Sequence, residues 1–234
     1  MRKGEERKQE ILSIAEKLFC VKGYQATSVQ DILDELQASK GAFYHHFESK
    51  GSVLETLCTQ RAEKAAECTR EKLAKLENPM DRLNAALHGV SPLCREEVTF
   101  LSMLLPQLFT HEGCTVRYAY QGALQEAFLP IVTQELDNAT SAGVILPAGG
   151  TDAADTLLML VNHCWMSVAE ALLEQLSRGR NLSAGAMLDI LGGYRAIFER
   201  LLDAPFGSID LAGLDEWSEV AQGIERKIVL PAKA

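Results

Sequence analysis

The chain has 234 residues, 47% of them apolar, enough for one large or two small domains around a sizeable core. No unbroken run of eighteen apolar residues occurs and no charged-then-apolar leader opens the chain, so the expectation is a cytoplasmic protein with no membrane partner. The net charge of −9 is unevenly placed: residues 1–50 hold eight Lys+Arg and eight Asp+Glu, which leaves 15 basic against 24 acidic residues beyond them.

Helix one is expected from about Glu6 to Lys22, after six loose polar residues. Ile11, Ile14, Ala15, Leu18 and Phe19 form its apolar stripe and Gly23 its C-cap. Val29, Ile32, Leu33 and Leu36 then mark one face of a second helix, capped by Thr27 or Ser28 with Asp31. Gln37-Ala38-Ser39 has room only for a turn. A third short segment runs from Ser39 or Lys40 to about His46. Phe43 and Phe47, four apart, point inward; Lys40, Gly41, Ala42, Tyr44 and His45 face out. So short a cationic helix with small residues at its front suits a DNA major groove, where bulk at Gly41 or Ala42 would hold the backbone off the base edges. Arg2, Lys3, Arg7, Lys8, Lys40 and Lys50 supply local cations, and placement rather than total charge decides phosphate binding. Acid concentrated at the far end helps orient the approach.

Helix four is expected from Ser49 or Lys50 to about Leu76, a long solvated link ended by Asn78-Pro79. The body follows as helices over Met80 to about Val90, Glu96 to His111 (kinked at Pro106), Thr115 to about Ala142 (kinked or broken at Pro130), Thr151 to about Ser177, and Ala184 to Leu202. A loop spans Gly143 to Gly150, and a tail beyond Pro205 holds a short helix from Leu214 to Lys227. No segment alternates with period two, so the fold class is all-α.

The helix carrying Leu157, Leu158, Val161, Cys164, Trp165, Val168 and Leu172 is apolar over more than one face, and the last long helix keeps Met187, Ile190, Leu191, Tyr194, Ile197, Phe198, Leu201 and Leu202 at three-four spacing. Both could pair with their copies in a four-helix interface of a homodimer, which a DNA reader needs because one short helix contacts too few bases. Polar or soft residues on apolar helices are candidates for a small-molecule cavity: Phe100, Met103, Gln107 and His111 on one face, Tyr118, Gln121 and Gln125 opposite, with Asn162, His163 and Met166. No cofactor, catalytic residue or metal site is assigned. The widely spaced cysteines Cys20, Cys58, Cys68, Cys94, Cys114 and Cys164 form no ligand spacing and read as reduced thiols.

Two stretches, RKQEILSIAEKLFCVKGYQATSVQDI and SKGAFYHHFESKGSVL, make residues 7–55 resemble the TetR family of transcriptional regulators. The resemblance implies a three-helix helix-turn-helix DNA-binding domain over 1–50 and a larger helical effector-binding and dimerisation domain over 51–234. It implies a homodimer, most often a repressor, that grips a palindromic double-stranded DNA operator and is released by an unknown small-molecule effector. Carried onto this chain, Thr27 and Ser28 donate to phosphate. Ser39 and Lys40 reach phosphate or base edges, Gly41 and Ala42 permit close approach, Tyr44 and His45 touch backbone or bases, and Lys50 holds phosphate. The alternatives are a regulator without ligand, controlled by a protein partner, and an all-α enzyme, for which no catalytic signature is found.

Overall fold

The structure, a computed structural model, describes residues 2–91, 114–146, 150–179 and 184–211. Among them lie eight helices and no strand: α1 (Arg2–Lys22), α2 (Val29–Leu36), α3 (Lys40–Tyr44), α4 (Lys50–Leu73), α5 (Pro79–Gly89), α6 (Cys114–Ser141), α7 (Gly150–Ser177) and α8 (Ala184–Leu202). The expected helices over Glu96–His111 and Leu214–Lys227 lie outside the described residues, and Phe100, Met103, Gln107 and His111 with them.

α1 starts at Arg2, not after a loose segment. The Gln9 amide donates to Glu5 Oε1 at 3.2 Å and Arg7 pairs with Glu10 at 2.6 Å, i+4 and i+3 neighbours that support an early turn. Gly23 ends the helix at φ +86°, where its N–H reaches the Phe19 carbonyl at 3.0 Å. Ile11, Ala15 and Phe19 of α1, Ile32 and Leu33 of α2, and Phe43 of α3 are almost wholly buried together, closed below by Val53 and Leu54 of α4. Five residues cannot hold a helix alone, so α3 stands where Phe43 and Phe47 anchor it. Phe43→Ala is therefore expected to cost about 3–5 kcal/mol, read as a lowered unfolding midpoint of the head.

α4 corrects the expectation of a solvated link. Its second half buries Ala62, Ala66, Thr69 and Leu73 along α5 and α6. The alanines let neighbouring backbones come close. At Gly89 the approach is closest: a Cβ there would lie 2.1 Å from Thr69 Oγ1 and 2.9 Å from the Phe128 ring. Asn78-Pro79 opens α5 instead of closing α4. Asn78 Oδ1 accepts from the N–H of Met80 at 2.8 Å and of Asp81 at 3.2 Å, and Pro79 occupies the first turn, where an N–H has no helical partner.

α6 runs through Pro130 without the expected break. Pro130 is exposed, so the carbonyl that loses its partner faces water. α6 touches α4, α5 and α7; α8 packs on α7. By length and composition the stretch Asp152–Ser177 of α7 could cross a membrane, with an 18-residue window of mean hydropathy 1.4, but 44% of that window is buried inside the fold. The first residues of the expected tail, through Leu211, fold back. Asn84 donates to the Ser208 carbonyl at 2.8 Å and accepts from the Asp210 N–H at 2.9 Å, holding Ile209 and Leu211 in the core.

Candidate nucleic-acid interface and ligand cleft

Local chemistry sets up the head's outer face. Ser28 caps α2 in a reciprocal box: its Oγ accepts from the Asp31 N–H at 3.1 Å, and Asp31 Oδ2 accepts from the Ser28 N–H and hydroxyl at 2.7 Å. Lys22 adds a bond to Asp31 Oδ1 at 2.6 Å, and this cation, then Ser28, holds the Asp31 carboxyl well below the usual carboxylate range. Gln37 closes α2 at φ +51°, a left-handed step that turns the chain within three residues toward Ser39. Ser39 caps α3, accepting from the Ala42 N–H at 3.4 Å.

The candidates divide cleanly. Lys40, Gly41, Tyr44 and His45 are exposed and Ala42 is half-buried, all opposite the buried Phe43. A Cβ on Gly41 would meet only Ser39 Oγ, at 3.9 Å, so the head's own packing does not require glycine there. Thr27 is a correction: it is 1% exposed, and its hydroxyl donates to the carbonyls of Gly23 (2.8 Å) and Leu18 (3.3 Å), tying the α1–α2 turn. Ser28 stays exposed, but its hydroxyl proton is spent on Asp31. Lys50 turns inward too. Its ammonium donates to the Tyr24 carbonyl at 2.7 Å and sits 4.2 Å from the centre of the Tyr24 ring, fastening α4 to the same turn.

In the body, α6 and α7 border a cleft of about 680 Å³. Tyr118, Gln121 and Gln125 line it from α6 and Asn162, His163 and Met166 from α7, so all the sequence candidates within the described residues converge there. Sequence reasoning missed Arg117, Asp155, Met159, Ser167 and Glu170, which share the same helical faces one turn up or down. Gln125 donates to Asp155 Oδ1 at 2.6 Å across the cleft floor. His163 Nδ1 bonds the Tyr194 hydroxyl of α8, which is also 3.2 Å from Ser167 Oγ. Burial pushes the thiols of Cys58 and Cys164 up to about 12, which keeps them protonated and poor nucleophiles.

α7 and α8 sort their apolar residues differently from expectation. Leu157, Leu158, Val161, Cys164, Val168 and Leu172 are monomer core, as are Met187, Leu191, Phe198 and Leu202. What faces out on α8 is Ile197 (48% exposed) and Leu201 (54%), while Ile190 and Tyr194, on the same helical face, are half-buried against the core.

Residues 11–57 match the family described as bacterial regulatory proteins, tetR family. A curated relative, the HTH-type transcriptional repressor KstR2 of Rhodococcus jostii (strain RHA1), is 43% identical over 51 residues, 22% of this chain and 25% of its own length. The first curated relatives are matched over only 18%, 35% and 22% of their lengths. The fold is similar to that of a TetR-family transcriptional regulator from Pectobacterium atrosepticum (TM-score 0.58, 18% identity, 88% of this chain and 98% of that one). It is also similar to that of the transcriptional regulator FadR from Bacillus subtilis, solved in complex with stearoyl-CoA (TM-score 0.56, 14% identity, 84% and 98%).

Proposed function

We propose that this chain, whose residues 11–57 match the tetR family of bacterial regulatory proteins, is a TetR-like homodimeric, cytoplasmic repressor released from its operator by a small molecule held between α6 and α7. Residues 1–50 are the reading head and 51–234 the effector and dimerisation part. The observation that carries the DNA half is the exposed set Lys40, Gly41, Tyr44 and His45 on a five-residue helix nailed down by Phe43. Lys40 and Ser39 reach phosphates or base edges, the small residues admit the groove wall, and Tyr44 and His45 make the flanking contacts. Thr27, Ser28 and Lys50 hold the turn that aims this helix.

The body half rests on the position of α6. Its Arg117–Gln125 face borders the cleft, and other faces lie along α4 and α5, so a ligand that shifts α6 presses on the helix that carries the heads. Such a ligand releases DNA only through its preference for one position of α4. Repression is the sense in the named relative KstR2.

Selection of duplexes from random sequence tests the proposal. Enrichment of a palindrome with half-sites about one helical turn, roughly 34–36 Å, apart is the expected result, and no enrichment would refute it. Tyr44→Ala or Lys40→Ala should weaken binding to the selected duplex by about 1–3 kcal/mol in a gel shift and leave the melting temperature unchanged, since both side chains are exposed.

A further inference from the structure

Counting protons around Tyr194 gives the cleft a chemical preference. Tyr194 touches His163 Nδ1 and Ser167 Oγ, and the Ser167 hydroxyl also lies 3.1 Å from the His163 carbonyl as its donor. Each hydroxyl has one proton. If Ser167 spends its proton on the carbonyl, Tyr194 must donate to Ser167 Oγ, and Nδ1–H must donate to the Tyr194 oxygen. Only this sense makes all three bonds at once. It assigns the neutral His163 ring the tautomer protonated on Nδ1, which leaves Nε2 as the ring's acceptor on a residue that lines the cleft. Among the described residues the cleft also holds two carboxylates, Asp155 and Glu170, against one guanidinium, Arg117. Tyr118, Met159 and Met166 supply apolar wall.

We infer that the cleft takes an amphipath whose polar end donates hydrogen bonds and carries no negative charge, an alcohol or an amine on an apolar stem, and that the Tyr194–Ser167 ring makes His163 the residue that selects it. The inference rests on the reading of this cleft as the effector site. An anionic head meets a lone pair at Nε2 and a surplus of carboxylates. A hydroxyl or ammonium finds an acceptor already oriented, at no cost in reorganisation.

Calorimetric titration of the full chain at pH 8 with octan-1-ol, octylammonium and octanoate, each below its micellar concentration, tests this. The alcohol and the ammonium are expected to bind at least about tenfold more tightly than the acid. Tyr194→Phe frees the ring to carry its proton on Nε2 and donate to a carboxylate, so the preference should shrink to within about threefold while the alcohol still binds. Ser167→Ala should act alike, because Tyr194 can then give its proton to Nδ1; it serves as a second variant should the first fold poorly. Octanoate binding as tightly as octanol, or a preference untouched by either variant, would overturn the inference and leave the cleft standing as an effector site. Failure of all three compounds to bind would overturn it together with the effector reading.

Discussion

Arg82→Met is expected to lower the unfolding free energy by about 3–5 kcal/mol, measured by urea denaturation. Arg82 is the residue where three helices meet. Its Nε and Nη2 donate to the two oxygens of Glu135 on α6 at 2.8 and 2.6 Å, and its Nη1 donates to the carbonyls of Leu73, the last residue of α4, and Leu76, three residues past it, at 2.6 and 3.0 Å. The Glu135 side chain is only 3% exposed, and Asn138 gives its Oε2 a further bond at 3.1 Å. This bonding raises the Arg82 pKa, led by the hydrogen bond to Glu135. Removing the guanidinium strands a buried carboxylate and takes the side-chain donor from two carbonyls at the α4 exit, of which Leu73 keeps the Leu76 N–H at 3.2 Å, which is why the expected loss exceeds that of an exposed ion pair. The double variant Arg82→Met/Glu135→Leu separates the causes. It should recover most of the loss, because the stranded charge is gone, while the α4 carbonyls stay unclamped. If the double variant is no more stable than the single, the carbonyl clamp rather than the buried charge is the larger effect.

Much of the head was legible in the sequence because its signals are local. A period of 3.6, a serine followed three residues later by aspartate, and glycine after the last turn specify α1 and α2 without distant contacts, whereas α3, too short to stand alone, needs Phe43 and Phe47 in the core. The misreadings there concern single protons. Nothing in the string Ala26-Thr27-Ser28 tells which hydroxyl turns in; the Gly23 and Leu18 carbonyls decide that, and they become neighbours only when α1 meets the turn. Lys50 misled for the same reason, since its partner Tyr24 lies 26 residues away. In the body the error at Asn78-Pro79 was one of direction, as a pair that stops one helix can equally start the next. The buried face of α4 was hidden by composition. Alanine is a good helix former whether it faces water or a neighbouring helix, and the packing of Thr69 against Gly89 shows only in three dimensions. The cleft candidates on α6 and α7 were legible as helical faces, but their charged companions Asp155 and Glu170 read as ordinary surface until the two helices lay side by side.

The double substitution Ile197→Arg/Leu201→Arg should leave a folded monomer that has lost roughly 10²–10³-fold in affinity for a palindromic duplex. Both side chains are about half exposed, so two arginines can reach water without disturbing Phe198 and Leu202, which face the core from the same helix. Far-ultraviolet circular dichroism and the melting of the isolated subunit should therefore change little beyond what dimerisation itself contributed. In a dimer joined along this stripe, the four introduced cations would face one another across the seam, and like charges so placed cost several kcal/mol. Two joined heads gain affinity because the second binds from a high local concentration; separated heads bind independently, each with the few contacts of α3. The two readouts discriminate between origins of the effect. Sedimentation that shows a monomer with weakened DNA binding places the seam on the outer stripe of α8. A surviving dimer with normal affinity would move the seam elsewhere and remove the reason for Ile190, Ile197 and Leu201 to share one face. A surviving dimer with weakened affinity would mean that the arginines act on the spacing of the heads, through Tyr194 and α7, instead of on assembly.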